Sequence, residues 1–238
     1  MTLDEVMTTL RALGSEQTRK MMRKHGAPDS EDLYFGVLVG DLKPIAKKIK
    51  GDQALALALY DTGNTDAMYL AGLVADGAKM SRAQLNAWAE RAPWQMICEY
   101  TVAWVASDHP EAWSLANDWI NRPEPRIQSS GWSTAASVLS ITDDTKLDLD
   151  AIRALLRRAV AEVHAAPDRV RYTMNGFIIA VGSYVTPLGP EALAAAEAIG
   201  KVTVNMGGTA CKVPLATDTI QKVIGMGRQG KKRKTAMC

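Results

Sequence analysis

The sequence predicts an all-α chain, an α-solenoid of two-helix repeats. Apolar residues recur at three- and four-residue intervals through nearly every segment, the pattern of one buried face on a helix of 3.6 residues per turn. Proline, glycine or a capping residue punctuates the pattern at short range. The second helices of successive pairs begin near Thr65, Trp94, Pro125 and Asp168, at spacings of 29, 31 and 43 residues, near the length of a two-helix unit. Identity between the units is slight, which leaves a plain helical bundle as the competing architecture.

Each element has its own signal. MTLDEVMTTLRALG has helical spacing and an acidic first turn. YFGVLVGD reads as an extended connection into the helix LKPIAKKIKG. DQALALALYDTG is a helix stopped by Gly63, and Asn64 is placed to cap TDAMYLAGLVAD, since its side-chain oxygen can accept from free N–H groups of the first turn. Ser81 caps SRAQLNAWAERA, and PWQMICEYTVAWVAS opens on Pro93, a favoured first-turn residue. PEAWSLANDWINR pairs with PRIQSSGWSTAASVLSI, and DLDAIRALLRRAVAEVHAA with DRVRYTMNGFIIAVGSYV. KVTVNMGGTACKVP has β-branched alternation around a glycine turn, compatible with a small strand or a loop.

Charge selects no partner class by its total: 28 basic and 26 acidic residues in 238 give +2. Its distribution is uneven. Arg228, Lys231, Lys232, Arg233 and Lys234 lie within seven residues, so the remainder carries −3. The expected organisation is one repeat domain, residues 1–227, followed by a flexible basic tail, residues 228–238. Three cysteines with no CxxC pair suit a reducing cytoplasm. The N-terminus lacks a basic start before an apolar run, and nowhere do eighteen apolar residues follow one another, so no membrane segment is expected. A cytoplasmic monomer is the reading.

Chemistry-bearing motifs are few. GMGRQG, Gly225 to Gly230, matches GxGxxG literally, but it follows a helix and only eight residues come after it, so no helix N-terminus is available to hold a phosphate. His25, His109 and His164 stand far apart, with no metal-ligand spacing. No metal and no cofactor is expected. Lys43, Lys47 and Lys50 share one side of a helix with Ile45 and Ile49 opposite, a pattern that suits a phosphate-contacting face or a solvated one. Lys231, Lys232, Arg233 and Lys234 have no apolar residue among them to bury, and such a cluster can release counterions from a nucleic acid or simply keep the end soluble. All six tryptophans fall between Trp88 and Trp132. Helical core is the ordinary role, with one or two in position to stack on a base or a cation.

The stretch from Tyr34 to Asp76, with GV, LKPIAKKIK and then LA, LY, TGN and DAMYLAG, resembles the opening repeats of the DNA alkylation repair family, the AlkD-like proteins of HEAT-like repeats. The end, GTACKVP and IQKVIGMGRQGKKRKTAMC, resembles one branch of it. The resemblance implies a superhelix of HEAT-like helix pairs with a basic groove for duplex DNA. It also implies a glycosylase chemistry that releases N3- or N7-alkylated purines, in which an aspartate stabilises the developing sugar cation and tryptophans supply π contact. The family pattern places a Trp, three residues, then that Asp on one helix, an Arg on the next repeat and a second Trp beyond it.

In RAPWQMICEY the first Trp falls on Trp94, and Cys98 stands where the aspartate belongs. Glu99 is adjacent, but an α-helix turns it about 140° from Trp94, against about 40° for Cys98. The Arg position falls at Ser129 or Ser130 and the second Trp at Ile179. Loss of one such electrostatic group typically removes about 2.7–4 kcal/mol of barrier lowering. The leading reading is a repeat protein that holds duplex, damaged or branched DNA through Lys43, Lys47, Lys50, Trp94 and the tail without excising a base. An alkylpurine DNA glycosylase, with Trp94, Cys98 and Glu99 as candidate catalytic residues, is the alternative. A scaffold for a protein partner is the third.

Overall fold

A computed structural model describes residues 1–207 and 211–237. Among these residues the chain is all-α, with thirteen α-helices and no strand. It forms two compact units, one of Met1–Pro110 joined by Met206 and Gly207, the other of residues 111–205 and 211–237. The first unit contains α1 (Leu3–Leu13), α2 (Glu16–Arg23), α3 (Val39–Lys48), α4 (Gln53–Asp61), α5 (Thr65–Val74), α6 (Arg82–Arg91) and α7 (Val102–Ser107). The second contains α8 (Ala112–Ile120), α9 (Pro125–Ile141), α10 (Leu149–Glu162), α11 (Asp168–Tyr184), α12 (Gly189–Ile199) and α13 (Ala216–Gly225).

Local chemistry explains where these helices begin. Asn64 accepts from the Asp66 and Ala67 N–H groups, and Ser81 forms a reciprocal capping box with Gln84; each satisfies donors that a helix start leaves unpaired. Pro125 occupies the first turn of α9, where its missing N–H leaves no helical hydrogen bond unmade. Packing then sets the spacing. Tyr60 of α4 stacks on Trp88 of α6 at 3.8 Å between centroids, and its hydroxyl donates to the Trp88 carbonyl at 2.7 Å. In the second unit Trp132 of α9 meets Phe177 of α11 edge-on at 5.4 Å, both essentially fully buried. Gly131 lets α9 close on α8, since a β-carbon there would lie 2.6 Å from the Ile120 nitrogen.

Three expectations need revision. The extended connection ends earlier than YFGVLVGD suggests, because α3 already starts at Val39. Pro93 does not open a helix; it precedes a bend at Trp94, whose carbonyl accepts from the Cys98 N–H, and a π turn, Met96–Thr101, follows. The tail is not a flexible end. The Gln229 side chain donates to the Gly182 carbonyl at 3.0 Å, and the Gly230 and Arg233 N–H groups donate to the carbonyls of Ser183 and Ser140 at 2.9 and 2.8 Å. These acceptors lie in the last turns of α11 and α9, where carbonyls lack partners within the helix.

KVTVNMGGTACKVP has no strand on either described side of 208–210; Gly207 is a turn residue with a φ of 66°, and the remainder of its glycine turn lies outside the described residues. In GMGRQG, Gly227 takes a φ of 62°. Its N–H donates to Ile224 and that of Arg228 to Val223, the Schellman stop of a helix.

Candidate nucleic-acid interface and the Trp94 turn

The RAPWQMICEY segment belongs to the first unit. The Ile97 and Cys98 N–H groups donate to the Trp94 carbonyl at 3.0 and 3.1 Å, and five residues separate the donor Val102 N–H from its acceptor Ile97 O. The Cys98 bond to Trp94 spans four residues, as in an α-helix, so Trp94 and Cys98 keep the expected phase, and the wider five-residue bonds begin beyond Trp94. The extra residue is seated against α5 at Gly72, where a β-carbon would lie 2.5 Å from the Thr101 methyl. Trp94, Cys98 and Glu99 are all buried, at 5%, 2% and 5% exposure.

Beside this turn lies an open cavity of about 220 Å³, walled by residues of α2, the 34–39 connection, α3, α5 and the Trp94–Ile97 segment. Asp66 builds one wall. Its carboxylate accepts from the N–H groups of Phe35, Gly36 and Val37 at 2.8, 3.1 and 3.0 Å, so a single side chain organises the backbone of the whole connection. Burial pushes the Asp66 carboxyl up to about 6, against those three donors, which favour its charged form. Burial, with the Asp66 charge adding to it, also pushes the Tyr34 phenol well up. Tyr34 lies 6.1 Å from Trp94, ring to ring, at a tilt of 57°. Trp94 Nε1 and Thr65 Oγ1, in two residues of the wall, are shut off from solvent and have no hydrogen-bond partner.

Residue patterns could not have marked Asp66, because an acidic residue in a helix's first turn is ordinary. Tyr34, Thr65 and Tyr69 likewise enter the wall only through the fold. Of the tryptophans, Trp113 alone is more than slightly exposed; the other five are core, as their helical spacing suggested.

In the second unit, Ser129 and Ser130 are fully buried. Ser130 Oγ donates to the Arg126 carbonyl at 3.2 Å, while Ser129 Oγ has no partner. No guanidinium occupies that pair of positions; the nearest on α9 is Arg126, exposed, one turn earlier. Ile179 is partly exposed on α11, on the same side as Gly176 and Tyr172, and the Arg169 guanidinium lies 4.4 Å over the Tyr172 ring.

The cations divide. Lys43, Lys47 and Lys50 are exposed and, like Lys231 and Lys234, have no ion-pair partner among the described residues. Lys232 is engaged, with Nζ 2.8 Å from Asp144 and 2.9 Å from the Leu139 carbonyl. Arg233 donates to the Met237 carbonyl at 2.6 Å. No group of metal-ligating side chains occurs among the described residues, and no single described helix is long and apolar enough to cross a membrane.

Comparison with known proteins completes the picture. Residues 6–203 match the family model described as DNA alkylation repair enzyme. Proteins of Listeria innocua (Lin0241) and Listeria monocytogenes (Lmo0209) are each 36% identical over 225 residues, covering 93% of this chain and 96% of theirs. A solved structure from a family of proteins related to the HEAT-like repeat DNA glycosylases, with affinity for branched DNA structures, superposes with a TM-score of 0.90 at 36% identity over 100% of both chains. Helix pairs and agreement along nearly the whole length thus converge, and the chain belongs to the DNA alkylation repair enzyme family.

Proposed function

We propose that this protein binds DNA, with preference for branched or distorted forms, and does not excise bases by the family mechanism. The observation that supports the reading is that Cys98, the residue the family resemblance aligns with the charge-stabilising carboxylate, is a buried thiol. The affinity of the structurally similar protein for branched DNA supports the binding half. Lys43, Lys47 and Lys50, exposed and unengaged by carboxylates, are the proposed phosphate contacts in the first unit, with Lys231 and Lys234 in the second. Lys232 and Arg233 hold protein carbonyls and serve the fold first. Trp94 acts from within the wall of its cavity, because at 5% exposure its faces are covered.

A second reading, an alkylpurine glycosylase using Glu99, draws on the burial of that carboxylate beside Cys98. Gel shifts with duplex, nicked and branched DNA at two salt concentrations, run beside an assay for released 7-methylguanine and 3-methyladenine, separate the two. Binding that is tightest for branched DNA with no base release is the expected result. Release well above background that Glu99→Gln abolishes in a folded protein would establish the second reading.

A further inference from the structure

Resting on that DNA-binding reading, we infer that the C-terminal end of α13 is a wedge for branched DNA: Met226 covers the base-pair face left open at a branch point, and Lys222, Arg228 and Lys231 take the phosphates around it. Packing creates the wedge. α13 is held to its unit by the buried Ala216 and Ile220, the latter so close to α11 that a β-carbon at Gly182 would lie 2.6 Å from its side chain. The last turn runs beyond that support. Ile224 is left 41% and Met226 56% exposed, the latter more than any other large apolar side chain among the described residues. Gly225 and Gly227 flank Met226, with nothing within 4 Å of a β-carbon at either, so a flat ligand has room on both sides. The protrusion is also fixed in place. Gly227 closes the helix at a φ of 62°, and three residues after Met226 the Gln229 side chain donates to the Gly182 carbonyl at 3.0 Å. An apolar group already held in position loses little freedom on being covered.

Charge selects the ligand. No acidic residue follows Asp218, whereas six cations stand from Lys222 to Lys234. Lys222 lies one turn before Met226, whose N–H donates to the Lys222 carbonyl at 3.0 Å, and Arg228 and Lys231 begin and end the turn beyond it. All three are exposed and have no ion-pair partner among the described residues. A helix C-terminus repels phosphate through its dipole. The part of the DNA that meets Met226 is therefore a base face, with the phosphates held farther out on the long cationic side chains. Methionine is among the side chains that wedge into base steps. Opening a stacked step is unfavourable, and at a branch point the step is already open, which makes the wedge selective for branched DNA over continuous duplex. A lipid surface would need a broad apolar face, and that of α13 is turned into the core at Ala216 and Ile220.

The test compares the full chain with its Met226→Ser and Met226→Leu variants on a three-way DNA junction and on a duplex closed by hairpins, which has no open base-pair face. The junction carries one aminopurine, either at the branch or within an arm. Met226→Ser should weaken junction binding roughly 4- to 16-fold, the worth of covering the exposed half of a methionine side chain, and leave duplex binding and the unfolding midpoint unaltered. Met226→Leu should bind as wild type does. Wild type should change the fluorescence of the branch probe and not that of the arm probe, and Met226→Ser should lose that change. Arg228→Glu should weaken junction binding and flatten its salt dependence. A Met226→Ser protein that binds the junction as wild type does, or loses junction and duplex affinity alike, would overturn the wedge and leave the binding function standing. So would Met226-dependent binding to vesicles of equal parts phosphatidylglycerol and phosphatidylcholine with no effect of Met226→Ser on the junction. If wild type binds neither junction nor duplex, the failure belongs to the function itself and the wedge falls with it.

Discussion

Truncation after Gly227 is the perturbation that separates this structure from a reading of its composition. As a free basic tail, residues 228–238 would be dispensable for folding. In the structure they provide four hydrogen bonds to the last turns of α9 and α11, from Gln229, Gly230, Lys232 and Arg233, the Lys232–Asp144 ion pair at 2.8 Å, and the buried methyl of Ala236. At ~0.5–1.5 kcal/mol per hydrogen bond the gross contribution is roughly 2–6 kcal/mol. The entropy of ordering the segment opposes this gain, so the loss on truncation is expected to be a fraction of it, local to these helix ends. A cation beside the α9 carbonyls also suits the helix dipole. For a chain of this size each kcal/mol lost lowers the thermal midpoint by roughly 2–4 °C. Hydrogen exchange should accelerate in the last turns of α9 and α11 and not in α1–α7. Lys232→Ala alone should show a smaller loss in the same place. A truncated protein that melts within ~1 °C of the full chain, with unaltered exchange in α9 and α11, would refute the reasoning.

Other outcomes follow from the same structure. Because the Asp66 carboxyl is pushed up from 3.8 to about 6, its contribution to stability is fully present below about pH 3.8 and lost as pH rises through about 6, on the order of 3 kcal/mol in all. Denaturant midpoints of wild type minus Asp66→Asn should fall across that window; parallel profiles would exclude the link. Gly176→Ala in α11 should stabilise by about 0.5–1 kcal/mol, since nothing lies within 4 Å of the added β-carbon, and a lower midpoint would show an unseen constraint. Replacing Lys43 and Lys47 by Glu should weaken DNA binding and flatten its log–log salt dependence by roughly 0.9 for each phosphate no longer neutralised; an unchanged slope places the phosphate-binding cations elsewhere. Cys98→Asp should restore little base release, because Ser129, Ser130 and Ile179 leave the remaining groups absent and such groups act as a unit.

Periodicity and capping made the helices legible, because both are local: the Asn64 and Ser81 caps, Pro125 at the start of α9 and the ends of α10 and α11 need only neighbours a few residues away. The alignment of Cys98 with a family carboxylate rests on the resemblance, which supplies the four-residue spacing from Trp94. The π turn was not legible. One extra residue in a turn is decided by what packs on it, here Gly72 of α5 against Thr101, and no local propensity encodes that approach. Asp66 shows the same division: its carboxylate acquires meaning only when the fold brings Phe35, Gly36 and Val37 around it, some thirty residues away in sequence. The basic end is the clearest case. Composition marks Lys231 to Lys234 as charges with nothing to bury, whereas the open carbonyls of α9 and α11, created by where those helices stop, decide that part of this charge holds the protein together.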